Sequence, residues 1–112
     1  MGNATLHGTY VLTVGTGTVV GVGPLTAVGE IIYEANGHEH AHYTVAVNGT
    51  IYEGVMVTGD YTVNPDCTGT LTESDGSHYD MVIAPDGSTV YWIRTDNGYV
   101  ISGTEVRLRN SD

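Results

Sequence analysis

Residues 75–87 read DGSHYDMVIAPDG, a turn, a short strand and a second turn. Asp75-Gly76 and Asp86-Gly87 are dipeptides that supply the positive-φ positions of tight hairpin turns. Between them, Tyr79, Met81 and Ile83 alternate with His78, Asp80 and Val82. Period-two alternation of this kind marks a strand with one face toward a core and the other toward water. The same punctuation recurs outward along the chain at Asn36-Gly37, Asn48-Gly49 and Asn97-Gly98, flanked by Tyr, Val, Thr and Ile. No stretch between these turns carries a 3.6-residue period, so no helix is expected.

The pattern predicts strands over 9–14, 26–34, 38–47, 50–63, 70–74, 77–84, 89–95 and 99–108. Gly59 inside the fourth reads as a bulge or corner. Eight strands in up-and-down order can close an antiparallel barrel, which removes exposed sheet edges. A β-sandwich is the alternative. The 112 residues are enough for a single domain, residues 1–112, with one core. Residues 15–24, GTGTVVGVGP, read either as a mobile lid over one barrel mouth or as a glycine-rich strand and turn.

Alternation assigns Ala27, Gly29, Ile31 and Tyr33 to the inner face of the second strand, opposite Glu30 and Glu34. Tyr10, Leu12 and Val14 join them, as do Tyr61 and Val63. The fourth and last strands are apolar on both faces, with Tyr52 and Met56 beside Val55 and Val57, and Val100 beside Ile101. An outer apolar stripe of this kind fits a subunit interface, hence a possible homodimer.

Charge narrows the partners. Lys+Arg number 3 against 13 Asp+Glu, a formal net charge of -10, and there is no lysine. Such a field repels phosphate backbones and anionic membranes, so nucleic acid and membrane surfaces are excluded as partners. No apolar run is long enough for a membrane-spanning helix. The glycines at 15 and 17 belong to no phosphate loop, because no helix follows and a Walker lysine is missing. Cys67, the single cysteine, forms no internal disulfide and has no base beside it to activate its thiol. The first residues lack the basic and apolar regions of a signal peptide. With Met1 as the native start a cytoplasmic protein is expected; the alternative is a secreted one whose signal peptide has been removed.

Two groups of residues could carry chemistry. His38, His40 and His42 fall on one face of a strand, and an H-x-H pair plus a ligand from a neighbouring strand can hold zinc or another transition metal. Glu39, Ala41 and Tyr43 take the opposite face. The other reading is a polar strand face in solvent, with no metal or other cofactor. Tyrosine is the second group: eight Tyr and no Phe. Phenols pointing inward would line an apolar cavity with hydroxyl donors able to hold a carbonyl or enolate oxygen. Tyr33 and Tyr79 are the candidate catalytic hydroxyls. Tyr10, Leu12, Ile31, Tyr61, Met81, Ile83 and Trp92 are the candidate substrate contacts.

Gly59-Asp60-Tyr61-Thr62-Val63-Asn64-Pro65-Asp66-Cys67-Thr68-Gly69-Thr70 resembles the G-x-Y-x-V-x-x-D-C-x-G-T core of a group of small bacterial β-barrel proteins, many of them secreted. The resemblance extends to His78-Tyr79-Asp80 and to Gly29–Gly37, and so covers the second half of the chain and part of the first. These proteins are similar in build to allene oxide cyclase-like barrels, whose relatives bind polyene- or polyketide-like molecules and in places cyclise or isomerise them. The resemblance therefore implies a cofactor-independent cyclase or isomerase acting on a small apolar substrate. A binding module without turnover and a metal-dependent barrel enzyme built on the histidines are the alternatives.

Overall fold

In the computed structural model, which describes residues 1–109, the order of elements is a 3-10 turn at Asn3–Thr5 and then nine strands. These are β1 (His7–Val19), β2 (Gly23–Glu34), β3 (His38–Val47), β4 (Thr50–Val63), β5 (Thr68–Glu73), β6 (His78–Ile83), β7 (Thr89–Arg94), β8 (Tyr99–Val100) and β9 (Ser102–Arg109). Every pairing is antiparallel, and β1 lies between β2 and β9. The circle β1 to β7 plus β9 therefore closes into an eight-stranded barrel rather than a sandwich. β8 is an extra two-residue ladder on the far end of β1.

The turn dipeptides act as their chemistry requires. Asn48 and Gly49 both take positive φ, 48° and 86°, the two-residue link between β3 and β4. In Asp75-Gly76-Ser77 and Asp86-Gly87-Ser88 the aspartate Oδ1 accepts from the backbone N–H two residues on, at 3.0 Å each time.

Two local expectations change, and a third is decided between its alternatives. Residues 15–24 take the strand-and-turn form rather than that of a lid: they make a hairpin, with β1 running on to Val19 and paired with Gly23, Pro24 and Leu25 after a register shift between Val14 and Gly17. The single strand expected over 99–108 is broken at Ile101, which is buried while the residues either side join different ladders. Gly59 carries no register shift; the shift between β3 and β4 lies further up, where Gly54 has a φ of 65°.

Strand lengths are unequal. β1 to β4 have 10–14 residues, whereas β5, β6 and β7 have six each. At about 3.3 Å per residue the second group spans only about 20 Å, so a tall wall faces a short one. The buried cluster lies toward the end where β1 starts. It is built from Leu6, Tyr10, Ile31, Tyr33, Tyr61, Val63, Leu71, Met81, Ile83 and Val90. Outside, Met56 is 80% exposed, with Val100 and Tyr52 also open to solvent.

Candidate functional site

The lower end of the barrel is sealed. Tyr33 stands between Tyr10 and Tyr61, edge-on to both with ring centroids 5.2 and 5.0 Å apart. Below them the N-terminal turn acts as a plug: Leu6 is fully buried, and Asn3 Oδ1 accepts from the Val63 N–H at 2.7 Å. Tyr61 donates to the carbonyls of Asn3 or Leu6, at 3.1 and 3.2 Å. The Tyr10 hydroxyl donates to the Gly87 carbonyl and accepts from the Arg107 guanidinium at 2.9 Å, while Arg107 also reaches the Thr5 carbonyl at 3.0 Å. Every phenol at this end is committed to the fold.

The upper end is open. A cavity of about 200 Å³ lies inside the tall wall, reaching from Leu12, Ala27 and Ile31 up to Leu25, Val45 and Val47. Trp92 and Tyr79 form the opposite side, edge-on with centroids 5.1 Å apart. Trp92 reaches inward because its indole lies over Gly103, where a Cβ would collide with the ring. Its Nε1 is buried without an acceptor. Burial raises the Tyr79 phenol to about 12, with the Ser77 hydroxyl acting against the shift, so it stays a neutral donor. Burial likewise raises Tyr43, another wall residue.

At the mouth, Arg94 is held in place. Its Nε donates to Asp96 at 2.9 Å and its guanidinium lies 3.5 Å from the centre of the Tyr99 ring. Asp96 also accepts from the His78 backbone N–H at 2.9 Å, and its carboxyl sits well below the usual range through the His78 N–H, the His78 ring and Arg94.

Between the two halves lies a layer of buried acids: Glu39, Glu73 and Glu105. Glu105 accepts from the Tyr33 hydroxyl at 2.6 Å. Burial nevertheless pushes its carboxyl up to about 8, aided by the Glu73 charge. Glu39 and Glu73 face each other across Gly59, their shared neighbour in the ladders β3–β4–β5. A Cβ at Gly59 would strike Glu39 Oε1 and Glu73 Oε2, so this glycine makes room for the acid pair. Neither Glu39 oxygen nor Glu73 Oε2 receives a hydrogen bond from any donor group among the described residues. Burial raises both carboxyls above the usual carboxylate range, and the charge of each opposes ionisation of the other, which favours a protonated form of the pair.

Of the residues singled out from the sequence, Tyr79, Leu12, Ile31 and Trp92 line the cavity. Tyr10, Tyr33, Tyr61, Met81 and Ile83 point inward but belong to the sealed half. Tyr33 touches the cavity only through Glu105. His38, His40 and His42 are on the outer face, each beside a carboxylate of a neighbouring strand: Asp60 at 2.5 Å, Glu34 at 3.2 Å and Glu30 at 3.3 Å. No group of three or more metal-ligating side chains converges among the described residues. The buried acids are not among the residues singled out from the sequence, because carboxylates ordinarily face water. Their signal is the strand face: Glu39 shares its face with Ala41 and Tyr43, and Glu73 with Leu71.

No family model matches the chain, and no curated protein matches it. Among solved structures, it is similar to a de novo designed fluorescence-activating β-barrel. The identity is 14%, the TM-score 0.52, and the match covers 92% of this chain and 94% of that one. At this identity the likeness is one of fold.

Proposed function

We propose that this barrel binds a small, largely apolar molecule in its upper half. The observation that carries the reading is the unfilled apolar space beside a fully packed lower half. Unfilled space costs packing energy, and residues larger than Ala27, Val45 and Val47 would have closed it. An eight-stranded barrel is of a size to hold one small ligand. A barrel of this architecture has also been designed for fluorescence activation. Trp92, the only tryptophan, lies in the cavity wall and reports on occupancy. Titration with a neutral apolar dye such as Nile red should shift the Trp92 emission and saturate at one dye per chain. Ala27→Phe should abolish both effects. Binding unaltered by Ala27→Phe would place the ligand elsewhere and end this reading.

Catalysis is a second reading, favoured by the Tyr79 hydroxyl in an apolar-walled pocket above carboxyls that burial raises. A neutral phenol could donate to a substrate carbonyl and stabilise charge developing on its oxygen, while the walls hold a reactive conformer for cyclisation or isomerisation. Tyr33 would act behind Glu105 as a positioning residue. Tyr79→Phe keeps the volume and should cost on the order of 2–4 kcal/mol of activation energy if that donor matters. Turnover equal to the parent would remove Tyr79 from the chemistry.

A further inference from the structure

The buried acids give the cavity floor a chemistry that the apolar walls do not. Glu73 and Glu105 line the cavity, and Glu39 stands behind Glu73. All three carboxyl groups are more than nine-tenths buried, and Glu73 Oε2 has no donor partner. Isolated buried carboxylates are costly unless a positive charge meets them. Among the described residues no arginine pairs with these carboxyls, although Arg94 lines the same cavity. Arg107 is committed to Tyr10 and Thr5 at the sealed end, and Arg94 to Asp96 and Tyr99 at the mouth. Meanwhile the walls offer aromatic faces, Trp92, Tyr79 and Tyr43, which attract cations as well as apolar groups. The net charge of -10 enriches cations around the molecule and repels anions.

We propose that the cavity selects apolar molecules carrying a protonated amine, with the ammonium on Glu73 and Glu105 and the hydrocarbon body against Leu12, Ala27 and Trp92. This rests on the reading of the cavity as a binding site and narrows its ligand class. An ammonium has three donors, which fits carboxyl oxygens that have few or no donors of their own. Its arrival would favour the ionised forms of Glu73 and Glu105, whose carboxyls burial otherwise raises, so binding should release protons. The other titratable groups facing this floor are Tyr33, Tyr43, Tyr79, Asp75 and Arg94. The three phenols are raised above their ordinary value by burial and stay neutral at pH 7.

The test compares three probes of one shape, cyclohexylmethylamine, cyclohexylmethanol and cyclohexanecarboxylate, titrated against Trp92 fluorescence at pH 7. The amine should bind at least tenfold tighter than the alcohol, with the carboxylate weakest. Calorimetry in two buffers of different ionisation enthalpy should show protons released on amine binding and none on alcohol binding. Glu73→Gln and Glu105→Gln should each reduce the amine preference toward unity while the alcohol still binds. Should either variant misfold, the wild-type comparison and the proton count decide alone. Equal affinity for amine and alcohol, or amine binding without proton release, overturns the proposal and leaves the cavity reading standing. Failure of the alcohol, the amine and Nile red alike overturns both.

Discussion

The two halves of this barrel are built from the same strands and solve opposite problems. In the lower half Tyr10, Tyr33 and Tyr61 fill the interior, each hydroxyl has a named partner, and Leu6 stops the end. In the upper half small side chains such as Ala27 leave a cavity, and the Trp92 N–H has no acceptor. Buried polar groups are normally satisfied, so an unsatisfied donor beside unfilled space marks a place where stability yields to something else. The lower half is the foundation, and the upper half is where function can be held.

Truncation gives the sharpest contrast between them. Leu6→Ala removes the stopper from a close-packed end and should cost about 2–5 kcal/mol, read from denaturant unfolding. Val45→Ala, on the partly exposed upper wall, should cost less than about 1 kcal/mol. Equal losses at the two positions would mean that the halves do not differ in packing.

The acid layer between them should set the pH dependence. Glu105 has a folded pKa of about 8 against an ordinary 4.5, so the fold binds protons that the unfolded chain has lost. Its contribution to stability is therefore full below about pH 4.5 and is lost as the pH rises toward 8. Glu39 and Glu73 act in the same direction, because burial raises both. The melting temperature should fall between pH 5 and 8, and Glu105→Gln, which can still accept from Tyr33, should flatten that slope. A melting temperature that rises across this window would show that the acids are charged and compensated in the fold.

A smaller effect tests the upper half alone. Ala27→Leu places a larger apolar group in existing space, so the fold should keep its melting temperature within a few degrees. Nile red affinity should drop at least tenfold. A large loss of stability would instead show that the space is needed by the fold itself.

Much of this architecture could be read along the chain. Turn dipeptides located the hairpins, and alternation placed Tyr10, Ile31, Tyr33, Tyr61, Tyr79 and Met81 inside. Which tyrosines face a cavity could not be read, because that depends on the six-residue length of β5 to β7 and on a plug formed by residues before the first strand. The acids were hidden for a different reason. Polarity normally points outward, and Glu39 and Glu73 break that rule by meeting over the bare backbone of Gly59, where burial favours their neutral forms. The glycine was visible in the sequence, but what it made room for comes from two other strands.

The smallest expected effect concerns the outer face, where neither half of the interior is involved. His38, His40 and His42 are exposed, and each stands beside one carboxylate across the ladder. Exposed ion pairs of this kind contribute between nothing and about 1 kcal/mol. Replacing all three with Thr, a good strand former, should change stability by less than about 1 kcal/mol. Ligand affinity in the cavity should not change, because these side chains point away from it. Zinc or copper at one ion per chain in untagged protein, lost in the triple variant, would show instead that this face is a metal site and move the search for function outside the barrel.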